Sequence, residues 1–227
     1  MKNILITGAS GNLGKATVAT FLNEGYNVIA IVSPGKKLSM GNDVQTYETN
    51  LTDEQACQKV IAEILAAYPL LHAALLLVGG YAPGTIQNSD SAALKKMLSL
   101  NFDTSYLIAR PLFQHMLTQS GGGKIIFVGS RSALKPKEGK NALAYALSKS
   151  LIFKLAELLN AEGASKNVTA SVIVPSTIDT KENRAAMPDK DFKMWVKPED
   201  IAKAMVYLCS EEALPLRETV LKIYNRA

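Results

Sequence analysis

Little in this sequence supports a disulfide or a metal centre. Two cysteines, Cys57 and Cys209, stand far apart in 227 residues, each flanked by a helical apolar pattern, so buried free thiols are expected. The two histidines, His72 and His115, have no Cys, Asp or Glu at ligand spacing, and no metal is expected. No uncharged apolar run reaches the length of a membrane span. The opening MKNILITG enters a strand-like run with no signal-peptide cleavage pattern, so a cytoplasmic chain without a membrane partner is expected. Internal repeats and low-complexity linkers are missing as well. The net charge is +5, but its densest groups are only Lys36-Lys37 and the set Lys135, Lys137 and Lys140. A scatter of that kind lacks the basic stripe interleaved with aromatics that would indicate a nucleic-acid partner.

What is present is alternation. Strands are expected at Asn3–Thr7, Asn27–Val32, Val44–Glu48, His72–Val78, Lys124–Val128, Val168–Val174 and Thr219–Tyr224. Helices are expected near 13–24, 53–67, 90–118, 142–162 and 198–210. Runs such as AALLLV and KIIFV are continuously apolar, which matches strands covered on both faces by helices in a parallel sheet. The expected fold class is α/β: one doubly wound Rossmann domain over 1–227, with about seven parallel strands and helices on both faces. The longest irregular stretch, 175–198, carries Met187, Phe192, Met194 and Trp195, apolar content suited to a lid or binding loop.

The first strand runs into ITGASGNLGKAT, with Gly8, Gly11 and Gly14 ahead of a helical pattern. Glycines let a backbone approach a pyrophosphate, and a helix N-terminus offers free N–H groups and a positive dipole end. Placed after the first strand and before the first helix, this loop reads as a dinucleotide site made by Gly8, Ser10, Gly11, Asn12, Leu13 and Gly14. A ribose-binding carboxylate is missing at the end of the second strand, which reads Ala30-Ile31-Val32-Ser33 and continues to Lys36 and Lys37. A hydroxyl and ammonium groups there suit a 2′-phosphate, so NADP(H) is favoured over NAD(H).

The stretch AYALSK places Tyr145 four residues before Lys149, on one helix face. With 8 tyrosines and 20 lysines, chance supplies roughly 0.7 such pairs, so the spacing alone decides nothing. Its position decides more. TGASGNLG, LSLNFDTS with Asn101, IIFVGSRSAL with Ser130, YALSK, and PSTIDT from Pro175 to Thr180 occur in that order, and the chain resembles the short-chain dehydrogenase/reductase family over nearly its full length.

The resemblance implies a fold, a chemistry and an assembly. Tyr145 would be the proton donor to a small carbonyl substrate, or take the proton of an alcohol, while hydride passes to or from the nicotinamide. Lys149 would lower the pKa of Tyr145 and bind the nicotinamide ribose. Ser130 would hold the substrate oxygen, and Asn101 would support a water relay. Cofactor contacts would include Asn50, Leu51, Gly79, Gly80, Pro175, Ile178 and Thr180. Homodimers or homotetramers would form through the long helices.

Several positions depart from the family pattern. Asn12 stands where glycine is common, Leu77-Val78-Gly79-Gly80 replaces NNAG, and Asn50 occupies a position that is often acidic. The usual separation of about 13 residues from the tyrosine selects Ser132, whereas the strand-end context selects Ser130. Residues Asp179, Thr180, Asn183, Arg184, Met187, Pro188, Asp191, Phe192 and Trp195 resemble the loop of dihydropteridine reductases. Quinonoid dihydropteridine reduction is therefore the alternative chemistry, and a non-catalytic NAD(P)-sensing protein the alternative class.

Overall fold

The computed structural model describes residues 1–38, 40 and 44–226. Its strands are β1 (Asn3–Thr7), β2 (Asn27–Val32), β3 (Gln45–Glu48), β4 (Ala73–Leu76), β5 (Gly123–Val128), β6 (Val168–Pro175) and β7 (Val220–Ile223). They form one parallel sheet in the order β3-β2-β1-β4-β5-β6-β7. The continuous apolar runs explain this arrangement, because a strand covered on both faces must be apolar on both.

Two layers of helices supply the cover. On one face, α2 (Glu54–Ala67), α4 (Thr104–Met116) and α7 (Leu143–Gly163) pack residues such as Ile61, Ile108 and Ile152 against Leu5, Leu76 and Phe127. On the other, α1 (Asn12–Asn23) and α9 (Pro198–Cys209) pack Phe21, Ile201 and Met205 against Ile4, Ile6 and Leu75. Burying each such side chain contributes roughly 1.5–3 kcal/mol. Cys57 and Cys209 are buried and free, one in each layer. Among the described residues no helix is long and apolar enough to cross a membrane.

The chain switches direction across the sheet between β3 and β4, so β1 and β4 flank the switch point, where a crevice opens beyond the strand ends. β4 stops at Leu76, two residues before the expected end. There Leu77 N donates to the Thr7 hydroxyl at 3.1 Å, and the chain leaves the ladder to form one wall of the crevice.

The helix expected over 90–118 is broken. It consists of α3 (Ser91–Leu98), a π-helical turn (Ser99–Asp103) and α4. A π turn adds a residue to the helical circuit and redirects the side chains around it; here it holds Asn101, which is fully buried. Two short helices, α5 (Arg131–Leu134) and α6 (Pro136–Gly139), link β5 to α7. The 175–198 stretch contains α8 (Lys181–Ala186) and a 3-10 turn (Phe192–Met194).

Candidate active site

The glycine loop closes on itself. Gly8 has φ +65°, a conformation that disfavours side chains, and a Cβ there would stand 3.0 Å from the Val78 side chain. A Cβ on Gly14 would lie 2.1 Å from the Gly8 carbonyl oxygen, so only glycine lets α1 begin this close to the loop. Gly11 is the N-cap of α1 and no side chain caps the helix, which leaves its N-terminal end open to an anion. This cradle fits a dinucleotide diphosphate, which Gly8, Ser10, Gly11, Asn12, Leu13 and Gly14 would hold.

Past the end of β2, Ser33, Gly35 and Lys36 form an exposed turn closed by Lys36 N donating to Ser33 O at 3.0 Å. Glu48 ends β3 beside Val32, and its Oε2 accepts from Gly35 N at 3.0 Å. A carboxylate therefore does stand at this corner, carried by the third strand instead of the second. Asn50 turns its Oδ1 towards Thr52 N and Oγ1, at 3.2 and 2.9 Å, while Leu51 is buried.

Beyond β4 and β5 lies a cluster of buried polar groups. Asn101 grips Gly80 from both sides: Oδ1 accepts from Gly80 N at 2.8 Å, and Nδ2 donates to Gly80 O at 3.0 Å. The same Nδ2 donates to Ser148 Oγ at 3.1 Å, and Ser148 Oγ donates to Tyr145 O at 2.8 Å. Gly79 packs closely on this cluster, since a Cβ there would meet Asn101 Oδ1 at 2.7 Å and Lys149 Nζ at 2.9 Å. Ser130 caps α5, accepting from Ser132 N at 3.1 Å, which leaves the Ser130 O–H free to donate. Of the two serines, Ser130 is buried at the end of β5 and Ser132 only half-buried, and it is Ser130 that works to lower the pKa of the Tyr145 phenol. The ring of Tyr81 packs edge-on against that of Tyr145, with centroids 5.1 Å apart.

Burial raises the pKa of Tyr145; hydrogen bonding from Ser130 works against that rise and Tyr81 adds to it. Burial also lowers Lys149, to about 8. The Lys149 ammonium donates to Val128 O at 2.9 Å and lies against Gly79, so it anchors α7 to the end of β5. Tyr145 and Lys149 thus share a helix face, but the expected lowering of the phenol pKa by Lys149 is not found in the ligand-free chain: burial raises it, and Lys149 is not among the groups that shift it.

The 175–198 stretch is an organised arm. Pro175 ends β6 in register with Ile223. Ile178 bridges to Val196 and accepts from Asn183 Nδ2 at 2.8 Å. Thr180 caps α8 by accepting from Asn183 N at 3.1 Å. Arg184 clamps Asp179 with two hydrogen bonds of 2.6 and 2.7 Å and lies over the Phe192 ring, which packs on the buried Trp195. The residues that resemble a dihydropteridine reductase loop here engage one another. A hollow of ≈ 460 Å³ opens on this arm beside Asp179, Lys193 and Trp195, and Tyr145 does not line it.

Reading the sequence missed Ser148, Tyr81, Glu48 and Glu182. Ser148 had a local signal, three residues after Tyr145 on its helix. The other three come into place only through strand order and loop packing.

The family profile described as short chain dehydrogenase matches residues 2–191. Acetoacetyl-CoA reductase of Acinetobacter sp. (strain RA3849) is 27% identical over 240 residues, covering 98% of this chain and 96% of that one. The 7alpha-hydroxysteroid dehydrogenase of Bacteroides fragilis is 24% identical over 232 residues, covering 93% and 88%. Among solved structures, ElxO with NADP bound superposes with a TM-score of 0.89 at 21% identity, covering 98% of this chain and 96% of that one.

Proposed function

The chain belongs to the short chain dehydrogenase family, enzymes that act on CH–OH and C=O groups with NAD(P), and on that premise we propose that it is an NADP(H)-linked reductase of a small carbonyl substrate or dehydrogenase of the alcohol. The observation that carries this reading is the polar cluster beyond β4 and β5, where Asn101 bonds Ser148, Ser148 bonds the Tyr145 backbone, and Lys149 lies buried against Gly79.

A bound nicotinamide supplies or accepts the hydride. The chain's own residues handle the oxygen. Ser130 donates to the carbonyl oxygen, and Tyr145 gives it a proton as the carbon is reduced; in the reverse direction Tyr145 takes the alcohol proton. The raised pKa keeps Tyr145 protonated at neutral pH, the state a donor needs. The Lys149 cation, held by Val128 O, favours the phenolate that follows donation. Asn101 would support a water relay towards Lys149, both side chains lying against Gly79.

Ser33, Lys36 and Lys37 support NADP(H), Lys36 and Lys37 attracting a 2′-phosphate; Glu48 favours the free ribose of NAD(H) by repelling it. Residues 1–227 form one cofactor-binding unit in this reading, with 175–198 as its substrate arm. Exposed Tyr106 on α4 and Leu147, Leu151 and Leu158 on α7 support pairing of copies as a cytoplasmic homodimer or homotetramer. The test is a screen of small carbonyls and quinonoid pterins with NADPH and NADH. Consumption of NADPH with a carbonyl is expected; consumption with pterins alone would replace the substrate class, and consumption with neither would overturn the reading.

A further inference from the structure

Asn12 is the one departure in the glycine loop that diphosphate binding does not explain. Its side chain leaves the helix it begins and crosses to the arm, where Nδ2 donates to Glu182 Oε2 at 2.6 Å over 170 residues of sequence. Glu182 lies in the first turn of α8, two residues after Thr180. Among the described residues this is the one hydrogen bond joining 176–198 to the glycine loop.

The arm is otherwise held by bonds within itself and to the chain's C-terminal end. Asp179 N donates to Val196 O at 2.8 Å, and Val196 N to Thr177 O at 3.0 Å. Asn225 Nδ2 donates to the carbonyls of Lys193 and Trp195, at 3.0 and 2.9 Å. With the Arg184–Asp179 clamp, these contacts brace α8, and among the described residues Glu182 is the arm's hydrogen-bonding link to the loop. Hydrogen bonds from its own backbone N–H and from Asn12 hold the Glu182 carboxyl below the usual carboxylate range, so it stays an anionic acceptor at neutral pH.

Resting on the dinucleotide reading above, we propose that Asn12 and Glu182 form a latch across the mouth of the cofactor crevice, closing the arm over the diphosphate and setting the rate at which the dinucleotide leaves. A dinucleotide held by both the glycine loop and Thr180 would leave only when this hydrogen bond between the two opens. The bond is exposed and single, so it acts on a rate and not on the fold.

The experiment is stopped-flow release of NADPH from the full-length protein, chased with excess NADP+, for wild type, Asn12→Gly, Glu182→Ala and the double variant. Each single change should speed release by about three- to tenfold, and the double variant no further than the faster single. Glu182→Gln keeps an acceptor for Asn12 and should release at close to the wild-type rate, a comparison that stands even if Asn12→Gly fails to fold. Unchanged release in Glu182→Ala, or multiplicative effects in the double variant, would overturn the latch while leaving the dinucleotide reading intact. A wild type that binds neither NADPH nor NADH would overturn both.

Discussion

Asn101 and Ser148, 47 residues apart, meet in a buried hydrogen bond of 3.1 Å, and Ser148 passes the constraint on to the Tyr145 carbonyl at 2.8 Å. The π turn and α7 are thereby tied at the residue that carries the phenol. Removing the Ser148 hydroxyl deprives one buried N–H of an acceptor. Ser148→Ala should cost about 1–2 kcal/mol of stability and lower kcat by roughly tenfold through misplacement of Tyr145. Urea unfolding and steady-state rates check this. Loss of stability with kcat intact would confine Ser148 to a packing role.

Lys149 makes the ligand-free chain's stability depend on pH in a definite direction. Its pKa is about 8 in the folded chain against an ordinary 10.5. Between those values the unfolded chain binds the proton more readily, so folding stability rises with pH across that window. Below it, a buried charge penalises the fold at every pH. Relative to Lys149→Met, the wild type should gain about 2 kcal/mol from pH 8 to pH 10. Denaturant midpoints for both proteins across that range test this; a constant difference would contradict it.

The adenosine corner sets Lys36 against Glu48. Lys36→Ala should weaken NADPH by about threefold, the scale of one exposed charge pair, with less effect on NADH. Glu48→Gln removes a like charge while keeping an acceptor for Gly35 N, and should tighten NADPH by a similar factor. Fluorescence titration of both cofactors reads the result. Equal shifts for NADPH and NADH would place the 2′-phosphate elsewhere.

The seven strands and their parallel pairing were legible because apolar runs bounded by turns report burial on two faces, and all seven lie within a few residues of their expected ends. Asn101, Ser130, Tyr145 and Lys149 were singled out through their order along the chain, and the fold brings Asn101 and Lys149 together against Gly79. Periodicity did not show the π turn, because one extra residue in a helical circuit leaves no signal of its own over eight to thirteen residues on either side, although the family resemblance implies a helix-bending asparagine at Asn101. Glu48 has no signal in the β2 sequence, and only the register of β3 against β2 brings its carboxylate beside Val32. Glu182 lies 170 residues from Asn12, a distance no local pattern spans.

Tyr145 is the proposed proton donor. Turnover of the best carbonyl substrate and affinity for NADPH, measured together for Tyr145→Phe, test this most directly. In that variant kcat should fall by roughly 10²–10⁴-fold, the usual contribution of a positioned acid, while NADPH binds within about twofold of wild type because the phenol lies outside the glycine cradle. A variant that turns over at the wild-type rate would contradict it.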